Sequence, residues 1–200
     1  MTQENKVTFG LENKVTFGLE NVHIAPIKTL AADGVITYGD VFRFPGAIEL
    51  ILDTKGETTP IKADNKDYHF MNSNEGYEGK LKIPHIIDEF ATKILGEIKD
   101  PQTGVMTEKA DASLTEFAMM FQFEGDKNKT RYVMYYCFAS RPSLGSKTKN
   151  GTSTNERELS FKASPRPLDT VVKRSITSAD DKDAYDNWFK KVYEPTAVAA

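Results

Sequence analysis

Apolar and polar positions alternate with a period of two through the middle of this chain. Phe117, Met119, Phe121 and Phe123 fall on one face of a strand, with Ala118, Met120, Gln122 and Glu124 on the other. The polar run Gly125-Asp126-Lys127-Asn128-Lys129 reads as a turn. Arg131 to Ser140 then runs back, with Tyr132, Met134, Tyr136 and Phe138 opposed to Val133, Tyr135 and Cys137. This pattern predicts a hairpin. Both of its faces are apolar, so it is expected between covering layers or at a subunit contact. Shorter strands are predicted over residues 35–38, 47–52, 67–71, 77–83, 105–109 and 158–163.

The period lengthens to that of a helix twice. Pro84 stands where a first-turn proline is tolerated, and Ile86, Ile87, Phe90, Ala91, Ile94 and Leu95 form an apolar stripe ending at Gly96. A second helix is predicted from Ser178, which has capping-box-like spacing to Asp181. Its Tyr185, Trp188, Phe189 and Val192 recur at i, i+3, i+4 and i+7 and stop before Pro195. Such a side cannot be left in water, so these four residues are expected to dock the C-terminal helix.

Two stretches lack any such pattern. The stretch between Arg141 and Arg157 is mostly Ser, Thr, Gly, Asn and Lys with one apolar residue, Leu144, and is expected to form a mobile excursion. Residues 53–64, through Gly56 and Pro60, are a second polar excursion. Lys55 and Glu57 in one, and Lys147 and Lys149 in the other, are candidate contacts between subunits.

Near the N-terminus the octapeptide Asn5-Lys6-Val7-Thr8-Phe9-Gly10-Leu11-Glu12 returns unchanged as residues 13–20. Two copies do not make a repeat architecture, which needs at least three. They read as a slippage duplication or cloning scar in a flexible arm that tolerates length. Eight is even, so sliding one copy onto the other keeps each side chain on its own face of a strand, and either copy could pair. The chain divides on this reading into an arm over 1–21, a single domain over 22–195 and a loose tail over 196–200.

Composition narrows the functional classes. The chain has 200 residues, which suits one domain with arms, and its apolar share of 39% is low for a globule. Its 26 basic and 29 acidic residues leave a net charge of −3, so no global field draws nucleic acid. A single cysteine excludes a disulfide framework and a multi-thiolate metal site. Met1-Thr2-Gln3-Glu4-Asn5 is polar and no apolar run is long enough to span a bilayer, so no membrane role is expected.

Catalytic motifs are missing. There is no phosphate-binding G-x-x-x-x-G-K-[ST] loop, G-x-G-x-x-G fingerprint, G-x-S-x-G elbow or H-E-x-x-H helix. His23, His69 and His85 are far apart, and His85 with Asp88 reads as a pair on a helix surface rather than a metal site. Cys137 reads as a buried thiol. Arg141, Lys147 and Lys149 make a small basic loop without interleaved aromatics, and Tyr132, Tyr135 and Tyr136 read as core rather than a base-stacking platform. No catalytic residue, metal or cofactor is expected. A β-rich chain with polar excursions, an arm and an aromatic C-terminal helix has the features of a subunit that works by assembling.

Specific words along the chain support this. The run Asn13-Lys14-Val15-Thr16-Phe17-Gly18-Leu19-Glu20-Asn21-Val22-His23-Ile24-Ala25-Pro26 resembles the start of the major tail proteins of long-tailed phages of Gram-positive hosts, the phi13-type family. Similar words are Gly34-Val35-Ile36-Thr37-Tyr38-Gly39, Arg43-Phe44-Pro45-Gly46-Ala47, Gly76-Tyr77-Glu78-Gly79 and Ala139-Ser140-Arg141-Pro142-Ser143. Leu159-Ser160-Phe161-Lys162-Ala163-Ser164-Pro165-Arg166-Pro167 and Trp188-Phe189-Lys190-Lys191-Val192-Tyr193 complete the set. The upstream copy, residues 5–12, is not called for by the family start.

The resemblance implies a tail tube protein. Its fold would be mainly β, a two-sheet sandwich or barrel with a flanking helix and a C-terminal helix. Six copies would close into rings, and stacked rings would form the channel for DNA ejection. The implied partners are further copies of the chain, other phage tail proteins and genomic DNA bound without sequence specificity. The implied location is the virion tail, with assembly in the host cytoplasm. Val15, Phe17 and Leu19 of the second copy would form the assembly arm. The alternative, from another class, is a β-sandwich module that binds a carbohydrate or peptide, which a shallow aromatic platform would favour.

Overall fold

The computed structural model describes residues 18–63, 66–145 and 156–195, and for 58–72 the backbone alone. Among these, the N-terminal third forms β1 (Leu19–Leu30), β2 (Ile36–Tyr38), β3 (Phe42–Arg43), β4 (Glu49–Lys55), β5 (Thr58–Ala63), β6 (Lys66–Asn72) and β7 (Gly76–Ile83). The helix α1 (Asp88–Lys93) and the two-residue strands β8 (Ile98–Lys99) and β9 (Met106–Thr107) follow. The C-terminal part contains β10 (Phe117–Phe123), β11 (Arg131–Ala139), β12 (Arg157–Ala163), β13 (Lys173–Ile176) and α2 (Lys182–Asn187). The chain is mainly β, with one large antiparallel sheet.

That sheet has the order β2-β1-β10-β11-β12-β7-β4, with β3 also pairing β1 and β13 also pairing β11. It curls around a core of Val22, Ile24, Phe42, Phe44, Leu81, Ile83, Phe117, Phe121, Leu159 and Phe161, into which α1 inserts Phe90 and the residues just after α1 insert Ile94 and Leu95. Phe90 is the hub: it meets Phe44 edge-on at 5.1 Å and Phe117 at 5.8 Å. Such pairs add about 0.5–1.5 kcal/mol beyond the area they bury.

The predicted hairpin is β10 and β11, with one change. Phe117 pairs Cys137 while Met119 pairs Met134, so β11 carries one extra residue in between. This bulge at Tyr135 and Tyr136 reverses the facing of everything after it. Tyr132 and Met134 share the inner core with Cys137 and Ala139, whereas Val133 and Tyr135 face the second core outside the curl. The unbroken alternation read from the sequence, with Cys137 beside Val133 and Tyr135, is therefore corrected. The bulge also marks a change of partner: β11 pairs β13 up to Met134 and β12 from Cys137 onwards.

The pattern gave no sign of β1, whose period is interrupted twice. An extra residue falls between Glu20 and His23, where Asn21 has φ 52°. Pro26 lies where β1 passes from β3, paired through Ile24, to β2, paired from Ile27, so its missing N–H costs no ladder bond.

Both helices are shorter than their apolar stripes. Pro84 to Ile87 precede α1, and Gly96, at φ 73°, turns the chain so that the Glu97 N–H reaches the Ala91 carbonyl at 3.0 Å. His85 is consequently not on the helix with Asp88; Asp88 instead pairs Lys99 at 2.7 Å. At α2 the cap is Asp181, whose carboxylate accepts the Ala184 N–H, and not Ser178, whose N–H goes to the Asn128 carbonyl.

Of the predicted excursion over 53–64, the described residues 53–63 are not open: they complete β4 and form β5, and the ladder runs on across the joint. β4 pairs β7 as far as Lys55 with Gly76, and β5 pairs β6 from Thr58 with Asn72. The β-branched Thr58, Thr59 and Ile61 favour a strand. The polarity that suggested a loop reports the lack of a core stripe, and backbone pairing does not require one.

Candidate functional site

The curled sheet has two outer surfaces. Over β1, β10 and the first half of β11 the outward residues are apolar: Ala25, Ala118, Met120, Val133 and Tyr135, all fully buried. The cover is the C-terminal segment. Trp188 is 2% exposed, Val192 is 8% exposed, and Tyr185 and Phe189 are partly buried against the same cluster. Phe189 stacks on His23 at 4.8 Å and lies under the Arg131 guanidinium at the same distance. Trp188 follows the last helical residue; its Nε1–H donates to the Tyr132 carbonyl at 3.3 Å.

Cationic side chains hold this cover by its backbone and its acids. Arg131 donates to the Tyr185 carbonyl. Arg166, 4% exposed, binds both oxygens of Asp169 and reaches Glu194, with its guanidinium over the Tyr135 ring at 4.3 Å. The Tyr135 hydroxyl donates to the Tyr193 carbonyl at 2.7 Å. The hydrogen bonds from Arg166 hold the Asp169 carboxyl below its ordinary pKa. Burial pushes the Tyr135 hydroxyl up, so it remains a donor. Sequence reading missed Arg166. The only available signal was an arginine between Pro165 and Pro167, three residues before an aspartate.

Over β12, β7 and β4 the outer surface is bare among the described residues. Its rows are Glu49-Lys82-Glu158, Ile51-Lys80-Ser160 and Asp53-Glu78-Lys162, the last continuing to Phe138. Lys55 pairs Glu78 at 3.0 Å, Lys80 pairs Glu158 at 3.7 Å, and Lys82 pairs Glu49. Beyond this surface β4 has a partner on one side only among the described residues.

From β4 the long hairpin projects. Gly56 has φ 146°, and a Cβ there would lie 2.0 Å from the Ser73 carbonyl oxygen, so only glycine passes. The Glu57 N–H donates to Ser73 Oγ at 2.9 Å, and the Ser73 N–H returns a bond to the Glu57 carbonyl at 3.0 Å. Lys55 and Glu57 thus stand at the root of the outer half of the hairpin. At about 3.3 Å per residue, β4 and β5 together could reach on the order of 50 Å.

Of the remaining candidates, Leu19 opens β1 opposite Phe123 and packs partly on the inner core. Val15 and Phe17 lie outside the described residues, as do Lys147 and Lys149. Arg141 is described: it pairs Glu108 at 2.9 Å and donates to the Lys109 and Ala112 carbonyls, closing one side of a cleft between α1 and β9.

No catalytic arrangement emerges among the described residues. No group of three His, Cys, Asp or Glu side chains among the described residues could hold a metal ion. Cys137 is fully buried and its burial raises the thiol pKa, so no thiolate is available as a nucleophile. No helix among the described residues is long and apolar enough to cross a membrane.

The fold is similar to that of the tube-terminating cap of the anti-feeding prophage, with a TM-score of 0.50 and 8% identity, over 88% of this chain and all of that one. The sheath–tube complex of an extracellular contractile injection system in its extended state gives a TM-score of 0.47 at 10% identity, over 84% of this chain and 98% of that chain. The sheath/tube terminator of the same kind of system gives 0.42 at 10%, over 79% and 93%. No family profile matches the sequence, and no curated protein matches it. The likeness to the cap is one of fold.

Proposed function

We propose that this chain is a non-enzymatic structural subunit of a phage tail tube, of the kind found in long-tailed phages. Six copies close into a ring, and rings stack into the channel for DNA ejection. The observation that carries the reading is the one-sided strand β4 in a fold like that of a tube-terminating cap. An unpaired edge invites a neighbouring strand, and repeating that contact around an axis closes a barrel and leaves no edge. Stacking such rings head to tail is a heterologous contact that grows into a filament.

Three segments are assigned the contacts between copies: the N-terminal residues Val15 and Phe17 with Leu19 at the start of β1, the hairpin rooted at Lys55 and Glu57, and the polar stretch over 141–157 with Lys147 and Lys149. The domain over 22–195 is then one tube subunit, working in the virion tail after assembly in the host cytoplasm beside other tail proteins. Its three paired lysines, Lys55, Lys80 and Lys82, agree with DNA that must slide and not adhere.

Negative-stain microscopy of the purified chain at high concentration tests the reading. Six-membered rings or hollow tubes are the expected result. Persistent monomers that bind a carbohydrate or peptide saturably would overturn it in favour of a binding module.

A further inference from the structure

We infer that the bare outer surface of β4, β7 and β12 lines the channel, and that its carboxylates mask its lysines from DNA. The inference rests on the tube reading above and adds which side of the subunit faces the axis and how that side treats its cargo.

The placing follows from where the mass lies. A ring wall built through the β4 edge contains β4, β7 and β12 as its sheet. The inner core, α1, β1, β10 and the C-terminal cover all lie away from the bare surface. Bodies set side by side around an axis have more room at larger radius, so the bulk lies outside and the bare sheet inside. This surface also differs from the other outer one in having no apolar cluster to cover: Ile51 and Phe138 are its only large apolar side chains exposed above a third, at 39% and 37%.

The masking follows from the rows. The surface carries four carboxylates, Glu49, Asp53, Glu78 and Glu158, and four lysines, Lys55, Lys80, Lys82 and Lys162. Three of the lysines are ion-paired to carboxylates of an adjacent strand. Exposed pairs contribute little to stability. Their consequence here is electrostatic: a lysine already facing a carboxylate displaces few phosphate counterions, and phosphate contacts dominate nonspecific DNA affinity.

Cysteine labelling tests the placing. Cys137 is buried and silent, so Lys80→Cys supplies a single reactive thiol, and Ser160→Cys in the same row serves if the first variant folds poorly. In monomers either thiol should react with a small maleimide and with one attached to a bulky polymer. In tubes the small reagent should still react, and labelling by the bulky one should be lost. Undiminished bulky labelling puts the surface outside, and loss of both reagents puts it in a contact between copies. Either result overturns the placing while leaving the tube intact. If the unmodified chain forms no tubes, the tube reading itself falls, and this inference with it.

The triple variant Glu49→Gln, Glu78→Gln, Glu158→Gln tests the masking. Its tubes should retain duplex DNA at low salt where the parent tubes do not. The log affinity should fall with log salt more steeply, by about 0.9 for each lysine unmasked. Equal retention by both tubes overturns the masking.

Discussion

The two outer surfaces of the sheet differ in what lies over them, although β11 runs through both. Up to the bulge, Val133 and the bulge residue Tyr135 are fully buried beneath Trp188, Val192 and Tyr193. After it, Phe138 is 37% exposed and joins the rows of lysine and glutamate on β12 and β7. One inserted residue reverses which side chains face outward, at the point where β13 gives way to β12 as the partner. A strand can thus serve two surfaces of opposite character, and stability concentrates in the covered one while the bare one is left free for other uses.

The largest expected effect breaks the cover. Trp188→Ala should lose roughly 3–5 kcal/mol, because a buried aromatic is replaced by a cavity. For a domain of this size that lowers the melting temperature on the order of 10 °C. Ile51→Ala on the bare surface should change it little, since Ile51 is 39% exposed. Thermal unfolding by circular dichroism compares the two, and equal shifts would dissolve the distinction.

Second in size is the clamp. Arg166→Met should destabilise the cover by about 1.5–3 kcal/mol, since it removes charge-assisted hydrogen bonds to Asp169 and Glu194, whose side chains stay 31% and 44% exposed. Asp169 has a lowered folded pKa, so its contribution is present above the unfolded value of about 4 and lost as pH falls through the folded one. The variant should therefore lose part of the acid dependence seen in the parent by denaturant unfolding between pH 5 and pH 3. An unchanged acid slope would show that the clamp does not link the cover to pH.

A smaller effect comes from His23. Burial, with Arg43 adding to it, lowers its pKa, although the Asn21 carbonyl at 2.7 Å opposes the shift. The ring also shares Phe189 with Arg131, a second positive charge near it. A lowered histidine leaves stability complete above about pH 6.5 and takes it away as pH falls towards the folded value. His23→Phe keeps a ring for Phe189 to stack on and should flatten the fall of stability that sets in as pH drops below about 6.5. On the bare surface Lys82→Ala should leave stability nearly unchanged, since exposed pairs contribute little. A larger loss in a urea titration would mean the rows hold the sheet together.

Much of this contrast was legible in the sequence, and its failures have definite causes. The hairpin of β10 and β11 is strongly patterned because both surfaces need apolar residues there. The bulge was invisible, since Tyr135 and Tyr136 fit either parity. β5 was hidden by polarity, and β1 by the extra residue at Asn21 and by Pro26. The C-terminal stripe could be read because Trp188 and Phe189 are large, whereas α2 ends at Asn187, before both of them. The Arg166 clamp joins residues 38, 135, 169 and 194, a separation that no local pattern encodes.

The smallest expected effect concerns the duplicated octapeptide, whose second copy runs into β1 at the rim of the covered surface. The even period alone would let the chain slide by eight, but the residues beyond the repeat forbid it. Leu19, Glu20 and Asn21 would be replaced by identical Leu11, Glu12 and Asn13, yet Val22 would become Lys14 and Ile24 would become Thr16. Val22 and Ile24 are 2% and 1% exposed in the inner core, so a slide buries a lysine there. The first copy can take the place of the second only by looping out eight residues near Asn21, at a closure cost of roughly 2 kcal/mol. Deleting residues 5–12 should therefore leave both melting temperature and tube yield unchanged. Replacing Val15 and Phe17 by Ser should reduce tube yield, and mutating Val7 and Phe9 as well should reduce it further only if the loop forms. Tubes at normal yield from the fourfold variant would remove the arm from the assembly, leaving the β4 edge and the long hairpin to carry it.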